Sequence, residues 1–179
     1  MAGQQTEVCR ILTEAGVRLL DGETCEIKGV GFAGAKGFPG GFGRGTLGAW
    51  GEPGIKTFVQ EAIEEAMKLE SALARLRTSR RVALLHYAPV RATVEGEPAE
   101  IFPFLGTSRL EEPLNRYPVD AVFHGHAHQG APEGRTSTGV RVFNVALPLL
   151  RSLDPRQPVR YLELPAPAAP EVGAALAHL

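Results

Sequence analysis

The sequence predicts a mixed α/β (α+β) domain. Two apolar runs of strand length, VALLHYAP at 82–89 and VDAVFHGHAH at 119–128, both lead into histidine. A long segment of helical period at 55–76 precedes the first run, and a shorter helical segment at 108–116 separates the two. Strands alternating with helices are the order of a sheet with helices layered on it.

A chain of 179 residues suffices for one domain with its own core. Nineteen Lys and Arg against twenty Asp and Glu leave a net charge of -1, which carries no nucleic-acid footprint. No apolar run approaches the roughly eighteen residues that span a bilayer, and the opening MAGQQTEVCR lacks the apolar stretch of a signal peptide. Cys9 and Cys25 are without CxxC spacing and read as reduced thiols, so a cytoplasmic protein is expected.

Along the chain, Val8, Ile11 and Leu12 share one helical face ahead of Gly16, which predicts an opening helix over 6–16. VRLL (17–20) and CEIKGVGFAG (25–34) read as a hairpin turning at Asp21-Gly22. From Gly34 to Gly54 glycine is too frequent for a helix or a long strand, and an irregular loop is expected. Phe58, Ala62, Ile63, Ala66, Leu69, Leu73 and Leu76 then keep helical spacing.

The unbroken apolar character of VALLHYAP predicts a strand buried on both faces. Ser108 is the expected cap of a helix over 108–116 that Pro113 limits or kinks. GVRVFNVAL (139–147) and PVRYLELP (158–165) read as closing strands. One domain is thus expected over 1–165, with the Ala/Pro-rich stretch 166–179 as a disordered tail.

The chemistry concentrates at the strand ends. In open α/β sheets ligands bind just outside the carboxyl ends of the strands, which is where His86 and the cluster His124, His126 and His128 fall. In an extended segment side chains two apart share a side, so His126 and His128 are expected to converge across Ala127. Neutral imidazole is the commonest side-chain ligand for zinc, manganese or iron, and His86 is the natural third member. His124 reads equally as a neighbour of the pair or as filling at the strand end.

GVGFAG at 29–34 has GxGxxG spacing, but no helix can start inside it, and glycines in a loop near a strand end is the better reading. Lys36 and Arg44, in the glycine-rich stretch, are candidate contacts for a substrate phosphate, with a solvated loop as the alternative.

LLHYAP at 84–89, followed about forty residues later by GHAH at 125–128 and then by VFNVALP, resembles the last motifs of the calcineurin-like metallophosphoesterases. The resemblance implies part of a four-layer αββα sandwich of two mixed sheets, with two divalent metal ions (Mn, Fe or Zn) between strand ends. It implies His86 and His126 on one ion and His128 on the other. It also implies a small phosphoester substrate attacked in line by a metal-bound hydroxide. The family's DxH, GDxxD and GN motifs do not occur in this chain.

The chain is therefore expected to correspond to the C-terminal part of such an enzyme and to be catalytically impaired alone, since two close cations need an anionic bridge. Loss of neighbouring strands would leave the edges of VALLH or AVF open to self-association. Two rival readings come from the ligands themselves: a mononuclear three-histidine zinc hydrolase or hydratase, and a non-catalytic metal-binding remnant.

Overall fold

The computed structural model describes residues 4–164. Six strands form one mixed sheet in the order β1-β2-β3-β4-β6-β5: β1 (Thr24–Ile27), β2 (Val30–Ala35), β3 (Arg80–Leu85), β4 (Ala121–His124), β5 (Glu133–Arg135) and β6 (Arg141–Asn144). The four central strands β2, β3, β4 and β6 run parallel, and β1 and β5 pair antiparallel at the two edges. The mixed α/β class is as the sequence predicts. The described residues hold one sheet, not the two of a four-layer sandwich.

The first helix, α1 (Gln5–Glu14), ends as expected ahead of Gly16, whose φ of 80° continues the chain out of the helix. The hairpin lies one step further along than predicted. β1 and β2 turn at Lys28-Gly29, with φ of 50° and 78°, the paired left-handed conformation of a two-residue hairpin loop. VRLL does not join the sheet; its last residue, Leu20, crosses over Gly34 of β2 instead. Gly34 permits the crossing, because a Cβ there would lie 2.5 Å from the Cβ of Leu20. GVGFAG is thus mostly strand β2, with its glycines serving close packing.

The long helix α2 (Pro53–Arg75) starts on Pro53, whose fixed φ and missing N–H suit a first helical position. Val59, Ala62, Leu69, Ala72 and Leu73 line its buried face. Leu69, Ala72 and Leu73 pack on one face of the sheet, against Ala33, Ala35, Ala83, Val122 and Val142, together with Leu110 and Leu114 from the 108–116 region. Full burial of each such leucine is worth about 1.5–3 kcal/mol.

Segment 108–116 is a 3-10 turn (Ser108–Leu110) running into α4 (Glu111–Arg116), which follows the short α3 (Phe102–Leu105). The cap is Thr107, not Ser108: the Thr107 side chain accepts from the Arg109 N–H at 3.4 Å. Pro113 falls in the first turn of α4, where its missing N–H interrupts no helical bond.

The opposite sheet face carries Phe32, Val82, Leu84, Ala121, Phe123 and Phe143, by strand alternation and register. Val82, Ala121 and Phe143 on this face are buried, but Leu84 is 37% exposed, so the burial expected on both faces of VALLHYAP holds for Val82 and Ala83 and fails at Leu84. The edges of β3 and β4 are paired on both sides, which corrects the expectation that they lie open.

β6 matches the first of the two closing strands, and its sequel is helix α5 (Leu147–Leu153). The described part of PVRYLELP, residues 158–164, forms no strand. Pro158 lacks the ladder donor, and the segment is held by side chains instead, with Arg160 4.6 Å from the Phe143 ring centroid and 2.7 Å from Glu133. Tail 166–179 lies outside the described residues. Cys9 and Cys25 are both free thiols. Among the described residues no helix is long and apolar enough to cross a membrane.

Candidate metal centre at the strand ends

The carboxyl ends of four adjacent parallel strands gather one row of residues. Lys36 follows β2, His86 follows β3, His124 ends β4 with His126 two residues on, and Asn144 ends β6. Backbone bonds join the row. The His86 and Tyr87 amides donate to the Lys36 carbonyl at 3.1 and 3.2 Å, the Gly125 amide to the His86 carbonyl at 3.2 Å, and the Val145 amide to the His124 carbonyl at 2.7 Å.

His86 and His126 come together as the sequence predicts, with ring centroids 4.8 Å apart, and Tyr87 stands edge-on to His126 at 4.6 Å. The route is not the expected one, because the extended conformation ends at His124. His126 has φ of 68°, and the Ala127 amide donates to the Gly125 carbonyl at 2.8 Å, closing a three-residue turn around it. A turn of that kind with a positive φ is rare and strained. Alternation therefore stops before it can align His126 with His128, and His128 lies exposed on the loop beyond.

Hydrogen bonds fix the protons on two rings. A carbonyl only accepts, so at the 3.2 Å contact with the Phe104 carbonyl His126 Nε2 is the donor, and in the neutral ring Nδ1 is the nitrogen left with a lone pair. His124 is fully buried; its Nδ1–H donates to the Gly125 carbonyl at 2.8 Å, and its Nε2 accepts from the Thr93 hydroxyl at 2.7 Å. Burial pushes its pKa down to about 4. This settles the ambiguous member of the cluster as a neutral packing residue.

Burial first, then the charges of His126, His128 and Lys36, hold the His86 imidazole below its ordinary pKa, which favours the neutral form that ligates metals. Lys36 sits at the site, but its amine is shared with Glu61 at 3.4 Å and lies 5.3 Å from the Phe38 ring centroid. Arg44 is exposed on the 3-10 turn Gly43–Gly45 and makes no ion pair among the described residues. The glycine-rich stretch around Lys36 is tied to α3 and the glycine after it: the Gly40 and Gly41 amides donate to the Pro103 and Gly106 carbonyls, both at 2.9 Å.

Sequence reasoning overlooked the supports of the histidine loop. Buried Asn144 donates from Nδ2 to the Ala127 carbonyl at 2.7 Å and the Thr93 carbonyl at 3.3 Å, while its Oδ1 accepts from the Ala146 amide at 3.1 Å. Glu97 receives the Gln129 amide at 2.7 Å. An asparagine closing an otherwise apolar strand, as in VFNVALP, was the available signal.

Among the described residues no group of three or more His, Cys, Asp or Glu side chains is arranged to hold an ion. Two imidazoles meet, the third is exposed on the loop beyond, and among the described residues no carboxylate completes a group with them. Two adjacent divalent cations require an anionic bridge, so these residues alone do not fit the complete two-ion centre that the resemblance implies. An open cleft of about 350 Å³ lined by Gly22, Glu64, Met67, Lys68 and Ser71 lies on α2, away from the histidines.

No family model matches this chain. No curated protein matches it either. One solved crystal structure is similar over 80% of this chain and 53% of its own length, at 17% identity and a TM-score of 0.49. The chain thus spans about half the length of that structure.

Proposed function

We propose that this chain carries the histidine side of a metal-dependent phosphoesterase centre, with His86 and His126 as ligands and His128 as the ligand to a second ion. The observation that carries the reading is His126 itself. A strained positive φ holds its ring against His86 at the ends of adjacent parallel strands, and such strain is retained where function repays it. The hydrogen bond at His126 Nε2 leaves its Nδ1 as the ligating nitrogen, and the depressed pKa of His86 favours the neutral imidazole that binds metals.

The layering supports the same reading. Helices α2 and α4 pack on one face of the sheet, and on the other face, where Val82 and Phe143 are already buried, Leu84 stays partly exposed, which suits a sheet that takes a further layer in an αββα sandwich. The carboxylates of the centre then come from outside the described residues, and no hydrolytic step is assigned to this chain alone. Small phosphoesters are the proposed substrates, Lys36 a proposed phosphate contact and the cytoplasm the proposed compartment; Arg44 has only its sequence position in its favour.

Titration of the chain with Mn²⁺ or Zn²⁺ by calorimetry tests the reading. His86→Ala and His126→Ala are each expected to weaken binding by about tenfold or more, with negligible turnover of bis(p-nitrophenyl) phosphate by the parent chain. Binding that is indifferent to both substitutions overturns the proposal. A single tightly held zinc with hydratase activity favours the mononuclear alternative.

A further inference from the structure

One peptide group ties helix α2 to His86. Glu65 is 3% exposed, and its carboxylate accepts the Gly37 N–H at 2.8 Å while pairing with Lys68. The carbonyl on the other side of the same peptide bond, that of Lys36, receives the amides of both His86 and Tyr87. The peptide between Lys36 and Gly37 therefore has its donor on a buried carboxylate and its acceptor under the residue that leaves β3.

Three features mark this clamp as specific. A charged acceptor makes the N–H bond stronger than a neutral one, and polarising the amide strengthens what its carbonyl accepts. Gly37 has φ of 74°, and a Cβ there would lie 2.8 Å from a Leu110 methyl, so the position demands both the left-handed conformation and the absence of a side chain. Burying a carboxylate is costly unless it is paired and hydrogen-bonded, and here both partners are present, one of them a backbone amide far from α2 in sequence.

We infer that Glu65 is a positioning residue for His86, acting through the Lys36–Gly37 peptide. Glu65 touches neither a ligand nor the imidazoles. It fixes the peptide on which the end of β3 rests, and with it the approach of the His86 ring to His126. The metal consequence rests on the proposed function above; the structural coupling does not.

Amide hydrogen exchange measured by NMR on the full chain tests it, beside zinc titration. Glu65→Leu removes the acceptor, Glu65→Gln keeps a neutral one, and Leu69→Ala on the same helix is a control that destabilises the core without touching the clamp. Glu65→Leu is expected to speed exchange at His86 and Tyr87 by roughly five- to tenfold relative to the control, and to weaken zinc binding by about tenfold. Glu65→Gln is expected to restore most of both. If the leucine variant does not fold, Glu65→Asp, too short to reach Gly37, takes its place with the same expectation. Protection at His86 and Tyr87 no lower than in the Leu69→Ala control overturns the inference. Zinc binding that ignores His86→Ala overturns the metal reading instead, and the exchange data then decide the clamp by themselves.

Discussion

The Nε2 of His124 lies 2.7 Å from the Thr93 hydroxyl, deep in the protein and thirty-one residues distant in sequence. The hydroxyl has a second acceptor within reach, the Val90 carbonyl at 3.1 Å, but one proton to give. A neutral His124 takes it. Protonating the imidazole turns Nε2 into a donor and leaves the added charge buried.

Stability should therefore fall in acid. The pKa of about 4 lies below the ordinary 6.5, so between these values the unfolded chain binds more protons than the folded one. The contribution is complete above pH 6.5 and is lost as pH falls toward 4. The loss should reach about 2 kcal/mol at pH 5. His86, also depressed, acts in the same direction. Urea midpoints at pH 7 and pH 5 measure the difference, and His124→Gln should flatten it.

The turn at His126 makes a prediction of opposite sign for stability and binding. Glycine adopts a φ of 68° without the penalty an L side chain bears. His126→Gly should be about 1 kcal/mol more stable than His126→Ala in chemical denaturation, while both lose metal affinity alike.

Asn144 should be intolerant of substitution. Asn144→Ala strips hydrogen bonds from the Ala127 and Thr93 carbonyls and from the Ala146 amide. A loss of about 2–3 kcal/mol is expected in denaturant unfolding, together with faster amide exchange across 125–130.

Gly130→Ala should act on the same loop from its far side. A Cβ there would stand 2.2 Å from the Thr93 carbonyl oxygen and 2.9 Å from Asn144 Nδ2. Thermal melting should show destabilisation of more than about 2 kcal/mol, with metal affinity reduced in parallel.

What the sequence disclosed follows from where local pattern governs. Helix α2 was legible because its apolar spacing acts within the element, and the central strands because VALL and AVF are apolar without interruption. The hairpin was misplaced because two turn dipeptides compete: Gly22 and Gly29 both take a positive φ, but the ladder forms across Lys28-Gly29, while Leu20 lies over Gly34. The meeting of His86 with His126 could be expected from parallel strand ends. The separation of His128 could not, since it depends on a positive φ at a residue that seldom adopts one. The Asn144 and Glu65 supports join distant segments through backbone amides and carbonyls, and the Thr93 hydroxyl reaches a ring thirty-one residues away, none of which leaves a periodic trace.

The row of strand ends also has a kinetic meaning. Lys36, His86, His126 and Asn144 become neighbours only after β2, β3, β4 and β6 have aligned, and parallel pairings across long stretches of chain are among the slowest contacts to form. Recovery of zinc affinity during refolding should thus lag the recovery of helical signal from α2. An ion bound at this row would report the completed sheet, and a chain still being assembled would have nothing with which to hold it.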